Sequence, residues 1–221
     1  MMISPEGFYE EYLKGKTEKQ IVSVIRGLKK EIGHLKNIME HPEYCCTKLP
    51  SEAVRLSCTR EYLERAKEAL KEEGGIYIPS KADQRAAAFD ENVSEICKME
   101  FEIGNDIKYE KYIVEISDEL KAIRENFWED KETCVLINED GEPFEKQGFL
   151  NAIRNLHIGE WRTRYDTERF GYFVLDGIMW ELIIEFSNSH KPLKILGSNS
   201  YPYNFADLVA IFKNDNDFNN A

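Results

Sequence analysis

The chain has 221 residues, 42% of them hydrophobic and 32% charged, which is the composition of a folding chain and not of a disordered one. Its 29 basic and 41 acidic side chains leave a net charge of −12, which argues against a non-specific duplex binder, because such a protein needs clustered Lys and Arg to displace counterions. No apolar run reaches the roughly 18 residues of a membrane span, Met1 to Glu6 lack the pattern of a signal peptide, and five cysteines are an odd number for a disulfide framework, so the expected location is the cytoplasm.

The charge is uneven: residues 1–92 carry 15 basic and 16 acidic side chains, and residues 93–221 carry 14 and 25. That asymmetry suggests two parts with different surfaces, and with the hydrophobic periods below it predicts a helical segment over 1–92 and an antiparallel α+β domain over 93–213, with residues 214–221 as a disordered polar tail.

In chain order, residues 3–14 predict a short leading helix ended by Gly15. Thr17 and Gln20 have capping-box spacing, and Ile21, Val24, Ile25, Leu28, Ile32, Leu35 and Met39 follow at helical spacing. Ser51 caps a second helix with Leu56, Leu63 and Leu70 on one side, stopped by Gly74-Gly75. The two predict an antiparallel hairpin, and Ser80 with Asp83 begins a third helix running to about Phe89.

Near residue 96 the hydrophobic period drops from 3.6 to 2. Cys97, Met99, Phe101 and Ile103 alternate with Lys98, Glu100 and Glu102, and Tyr112, Val114 and Ile116 share one face of a strand over 109–117. Residues 121–128 and 133–137 are weaker strand candidates, and 143–156 reads as a helix. Residues 157–169 read as irregular. Asp176-Gly177 between the apolar runs 171–175 and 178–186 predicts a hairpin turn, and Leu193 to Leu196 a further strand. Asn204 is expected to cap a last helix that turns Phe205, Leu208, Val209 and Phe212 inward. The fold class is therefore α+β: helices first, then a mainly antiparallel sheet with two helices.

Three stretches together resemble an uncharacterised family of cytoplasmic bacterial proteins, of low-GC Gram-positive type, with no known activity. They are Ser4 to Tyr9 with the helix Ile21 to Met39, the run Arg55 to Leu70, and Leu175-Asp176-Gly177 through Trp180 to Gly197-Ser198-Asn199-Ser200-Tyr201-Pro202-Tyr203-Asn204-Phe205. The resemblance covers most of the chain, with 104–142 the least familiar part. It implies a small cytoplasmic protein and transfers neither an activity nor a catalytic residue.

Among candidate sites, His34, His41, Cys45, Cys46 and Cys58 lie close in sequence, but the adjacent Cys45-Cys46 is not the spaced pair that tetrahedral zinc favours, and no metal is assigned. Gly197 to Ser200 sits between a strand and a helix but has one glycine and no lysine, so no phosphate loop is assigned. No nucleophile–base–orienter set can be named, so no catalytic residue and no cofactor is assigned. The helix over 14–36 carries a basic face of net +5, read as a solvated surface or a contact for acidic groups.

The strongest binding candidate is the loop from His157 to Asp166, which gathers His157, Trp161, Arg162, Arg164 and Tyr165. Trp, Tyr and Arg dominate binding hot spots because they combine large area with directional polar groups. In the functional reading Tyr201 and Tyr203 of Tyr201-Pro202-Tyr203-Asn204 extend the same surface. The structural reading, which the residues favour, has Trp161 plug the sheet core, Arg162, Arg164 and Asp166 as solvated pairs, and Tyr201 to Asn204 as a rigid strand-to-helix connection. The leading function is a non-catalytic protein-binding or regulatory protein, its partner another protein or a second copy. The alternatives are a hydrolase or transferase using His157, and an accessory factor associated with nucleic acid or phage defence.

Overall fold

The computed structural model describes residues 3–46, 49–105, 107–126 and 131–213. The expected tail 214–221 and the end of the strand expected over 121–128 lie outside the described residues. The chain divides into two compact units, Met1–Pro79 and Ser80–Ala221.

The first unit is helical. A short helix α1 (Pro5–Phe8) widens into a π turn at Tyr9–Leu13, and α2 (Glu18–Met39) and α3 (Glu52–Glu72) follow. The Gln20 carboxamide accepts the Thr17 N–H at 2.9 Å, as the capping-box spacing predicts. Arg55 near the start of α3 binds Glu31 at 2.6 Å, and Glu18 at the start of α2 lies against Gly75 just beyond α3, so the two run antiparallel. Their shared core is Leu13, Ile21, Ile25, Leu63, Ala66 and Leu70. Phe8 stacks on Tyr62 at 4.5 Å, and the Tyr62 hydroxyl donates to the Ile3 carbonyl at 2.7 Å, tying down the leading segment.

The second unit begins with α4 (Lys81–Asn92) and continues with β1 (Ile96–Gly104), β2 (Tyr109–Ile116), β3 (Leu120–Asn126) and β4 (Glu132–Cys134). After α5 (Lys146–Asn155) come β5 (Arg164–Tyr165), β6 (Met179–Phe186), β7 (Leu193–Ser198) and α6 (Phe205–Phe212). The strands form one sheet in the order β4-β3-β2-β1-β6-β7-β5, antiparallel throughout except between β5 and β7. The fold class is α+β, as the sequence predicts.

One sheet face packs Met99, Phe101, Val114, Leu182, Ile184 and Ile195 against Phe89, Phe149, Ile153, Leu208 and Phe212 from the three helices. The period-2 alternation puts Lys98, Glu100 and Glu102 of β1 on the opposite face, with Glu181, Ile183 and Glu185 of β6.

Three expectations change. The helical segment was expected to end at residue 92, yet α4 belongs with the sheet unit. Arg85 donates to the carbonyls of Gly159 and Trp161 at 3.1 and 2.5 Å, and a Cβ on Gly159 would lie 2.8 Å from the Ala86 Cα. That close approach, permitted by glycine and the small residues Ala86 to Ala88, seats the helix on the turn at Ile158–Glu160.

Next, Asp176-Gly177 joins no hairpin, because residues 171–175 form no strand. Both edges of β6 are taken, by β1 and β7, so no edge is left for that segment. Gly177 instead makes room for the Asn199 side chain, which would lie 1.9 Å from a Cβ there and which accepts the Ile178 N–H at 3.0 Å. Finally, Asn204 stands at the N-cap of α6, as expected, but its side chain makes no capping bond to the helix. It accepts from the Trp161 indole at 3.1 Å and donates to the Leu156 carbonyl at 2.9 Å.

Candidate binding surface

The His157 to Asp166 loop lies at the β5 edge of the sheet. Trp161 and Tyr165 are core side chains, 2% and 1% exposed. They box Trp180 of β6, whose ring centroid lies 6.5 Å from that of Trp161, 5.8 Å from Tyr165 and 4.7 Å from Phe205. The Trp180 indole donates to the Ser200 carbonyl at 3.0 Å and covers Gly197, where a Cβ would fall 2.0 Å from its nitrogen. The Tyr165 hydroxyl accepts the Arg162 N–H at 3.0 Å. Each buried ring thus meets its polar requirement while the apolar body fills the core.

The other predicted residues stay nearer the surface. Tyr201 is half-buried against Phe205 at 4.7 Å, its phenol pushed up by burial, and Tyr203 is half-buried. His157 adopts the left-handed region at φ 51° and begins the turn at Ile158–Glu160. Arg162 and Arg164 are exposed, and Arg164 binds Asp166 at 3.1 Å. Loop and Tyr-Pro-Tyr turn are brought together, but around a buried aromatic box; neither Trp161 nor Tyr165 is a surface hot spot.

The exposed feature lies beside them. A groove of about 390 Å³ opens at the end of the sheet that holds the β1–β2 connection. Its exposed apolar lining comes from Met179 and Leu196, with the half-buried Tyr109, and its charges from Glu102, Arg164, Asp166 and Glu181. Pairing register explains the row: Glu102 of β1 lies opposite Glu181 of β6, Glu181 opposite Leu196 of β7, and Leu196 opposite Arg164 of β5.

Met179, which lines this groove, ends an exposed apolar segment that enters β6. Tyr172, Phe173, Leu175, Ile178 and Met179 are five of the thirteen large apolar side chains exposed among the described residues, Phe173 at 68% and Leu175 at 89%. Such a concentration is unusual on a protein surface and marks contact sites. The sequence reading missed these residues because it placed 171–175 in a strand, which the β-prone run Tyr172-Phe173-Val174 invites.

A second hollow, of about 470 Å³, lies in the helical unit between Ile38, His41, Tyr44, Cys45 and Glu52. Burial first, then hydrogen bonding to Glu52 and Cys46, pushes the Tyr44 phenol up, so it stays a neutral donor to the buried Glu52 carboxylate at 3.0 Å. His157 lines neither hollow. Among the described residues no group of three or more His, Cys, Asp or Glu side chains is placed to hold a metal ion. No helix among them is long and apolar enough to cross a membrane. Family models, curated proteins and solved structures provide no match to the chain.

Proposed function

We propose that this chain is a non-catalytic protein-binding or regulatory protein, and that it binds at the groove end of the sheet unit. The observation that carries the reading is the exposure of Tyr172, Phe173, Leu175, Ile178 and Met179 within one segment, of which Met179 also lines the groove. Met179 and Leu196 sit on paired strands, so part of the surface is held in place at small ordering cost.

The test is a cross-linked pull-down comparing the wild-type chain with Phe173→Glu/Leu175→Glu, both monitored by circular dichroism. The wild type should retain a protein that the variant loses, with the melting temperature of the two within about 2 °C, since both sites are exposed. Equal recovery by a folded variant would remove the loop from the binding surface.

A further inference from the structure

Resting on that reading, the register of the sheet bears on the chemistry of the partner. The sheet unit holds 16 basic and 28 acidic residues, so it carries the whole net charge of −12, while the helical unit has 13 of each. Among the groove-lining residues three are acidic and one is basic.

The basic one, Arg164, is bound to Asp166 at 3.1 Å. Glu102 lies opposite Glu181, two like charges in one cross-strand pair, which repel. Lys194 binds Glu181 at 2.8 Å. Lys111, opposite Glu102 on β2, binds Glu100 at 2.7 Å and attracts Glu102 only at longer range. Among the described residues Glu102 therefore has no direct ion-pair partner.

We infer that the groove recognises a polypeptide segment carrying a Lys or Arg side chain flanked by apolar ones. The cation sits over Glu102 and Glu181, where it relieves their repulsion. The flanking apolar side chains rest on Met179, Leu196 and the Phe173–Leu175 loop. Charge gives selectivity against acidic and neutral segments, and apolar contact gives most of the residence time. Because the glutamates line an open groove, the charge contribution weakens as the Debye length shrinks from about 10 Å at 0.1 M salt to about 3 Å at 1 M.

The experiment titrates the full chain with synthetic Lys/Leu, Gln/Leu and Glu/Leu peptides of equal length, read by fluorescence anisotropy. The Lys/Leu peptide should bind best and weaken as salt rises. Glu102→Lys/Glu181→Lys should weaken it by on the order of tenfold or more, since two attractions become repulsions. Asp118→Lys/Glu119→Lys, in the β2–β3 turn at the opposite end of the sheet, makes the same change in net charge and should leave the affinity within about twofold. Equal weakening by both pairs would mean that overall acidity attracts the peptide, and would overturn the inference. So would equal affinity for all three peptides. A null peptide result alongside a pull-down partner that Phe173→Glu/Leu175→Glu loses would overturn the cationic partner and leave the surface itself standing.

Discussion

Trp161 shows how one residue serves the fold by meeting two demands at once. Its ring is buried beside Trp180 and its indole N–H reaches Asn204, which in turn holds the Leu156 carbonyl. Trp161→Ala should therefore cost about 3–5 kcal/mol in a urea titration, with loss of near-ultraviolet dichroism from the aromatic box. Ser200 offers the opposite case: its Oγ is buried without a hydrogen-bond partner among the described residues, so Ser200→Ala should be neutral or stabilising by up to about 1 kcal/mol. Loss of more than that would reveal a hydrogen bond to the hydroxyl. The sequence favoured Trp161 as a plug of the sheet core, and it is one, but left Tyr165 among the binding candidates, because Trp, Tyr and Arg look the same in a core anchor and in a binding hot spot. What decides is the docking of β6, β7 and α6, which are remote in sequence from this loop.

At the scale of elements, local rules made the helices and β1 legible. The Thr17–Gln20 and Ser80–Asp83 caps and the change of period near residue 96 need only neighbours along the chain. Strand partners were not legible, since a D-G pair predicts a turn only when an edge is free to receive the second strand. Gly159 marks the seat of α4: Gly159→Ala should destabilise by about 1–3 kcal/mol, because its Cβ meets Ala86 backbone atoms that cannot swing aside. Glu102→Gln should change stability by less than about 0.5 kcal/mol in a urea titration, because it ends the repulsion from Glu181 and loses the attraction to Lys111 together. At the sheet's inner face Glu110 of β2 binds Lys213, just beyond α6, and Arg124. Burial alone would raise the Glu110 carboxyl, but Lys213, then Arg124 and Lys108, outweigh it and hold it below the usual range. Its contribution is thus fully present above the unfolded carboxyl pKa of about 4.3 and is lost as pH falls through the lower folded value. Wild-type stability should fall more steeply than that of Glu110→Gln below about pH 4, as chemical denaturation at stepped pH would register.

Across the whole molecule, the two units have separate cores and separate charge: a neutral helical unit, and a sheet unit that carries the net −12. The charge asymmetry was visible in the sequence, although its boundary falls at Pro79–Ser80 because α4 packs by small-residue contact that hydrophobic period does not encode. The central claim is that a protein is bound at the loop entering β6. Its most direct measurement places a photo-reactive phenylalanine analogue at position 173, with a control at the exposed Glu61 of α3, and irradiates the chain in its native lysate. A discrete cross-linked protein at 173 that is absent at 61 is the expected result; no adduct at 173, or the same adducts at both positions, would contradict the account.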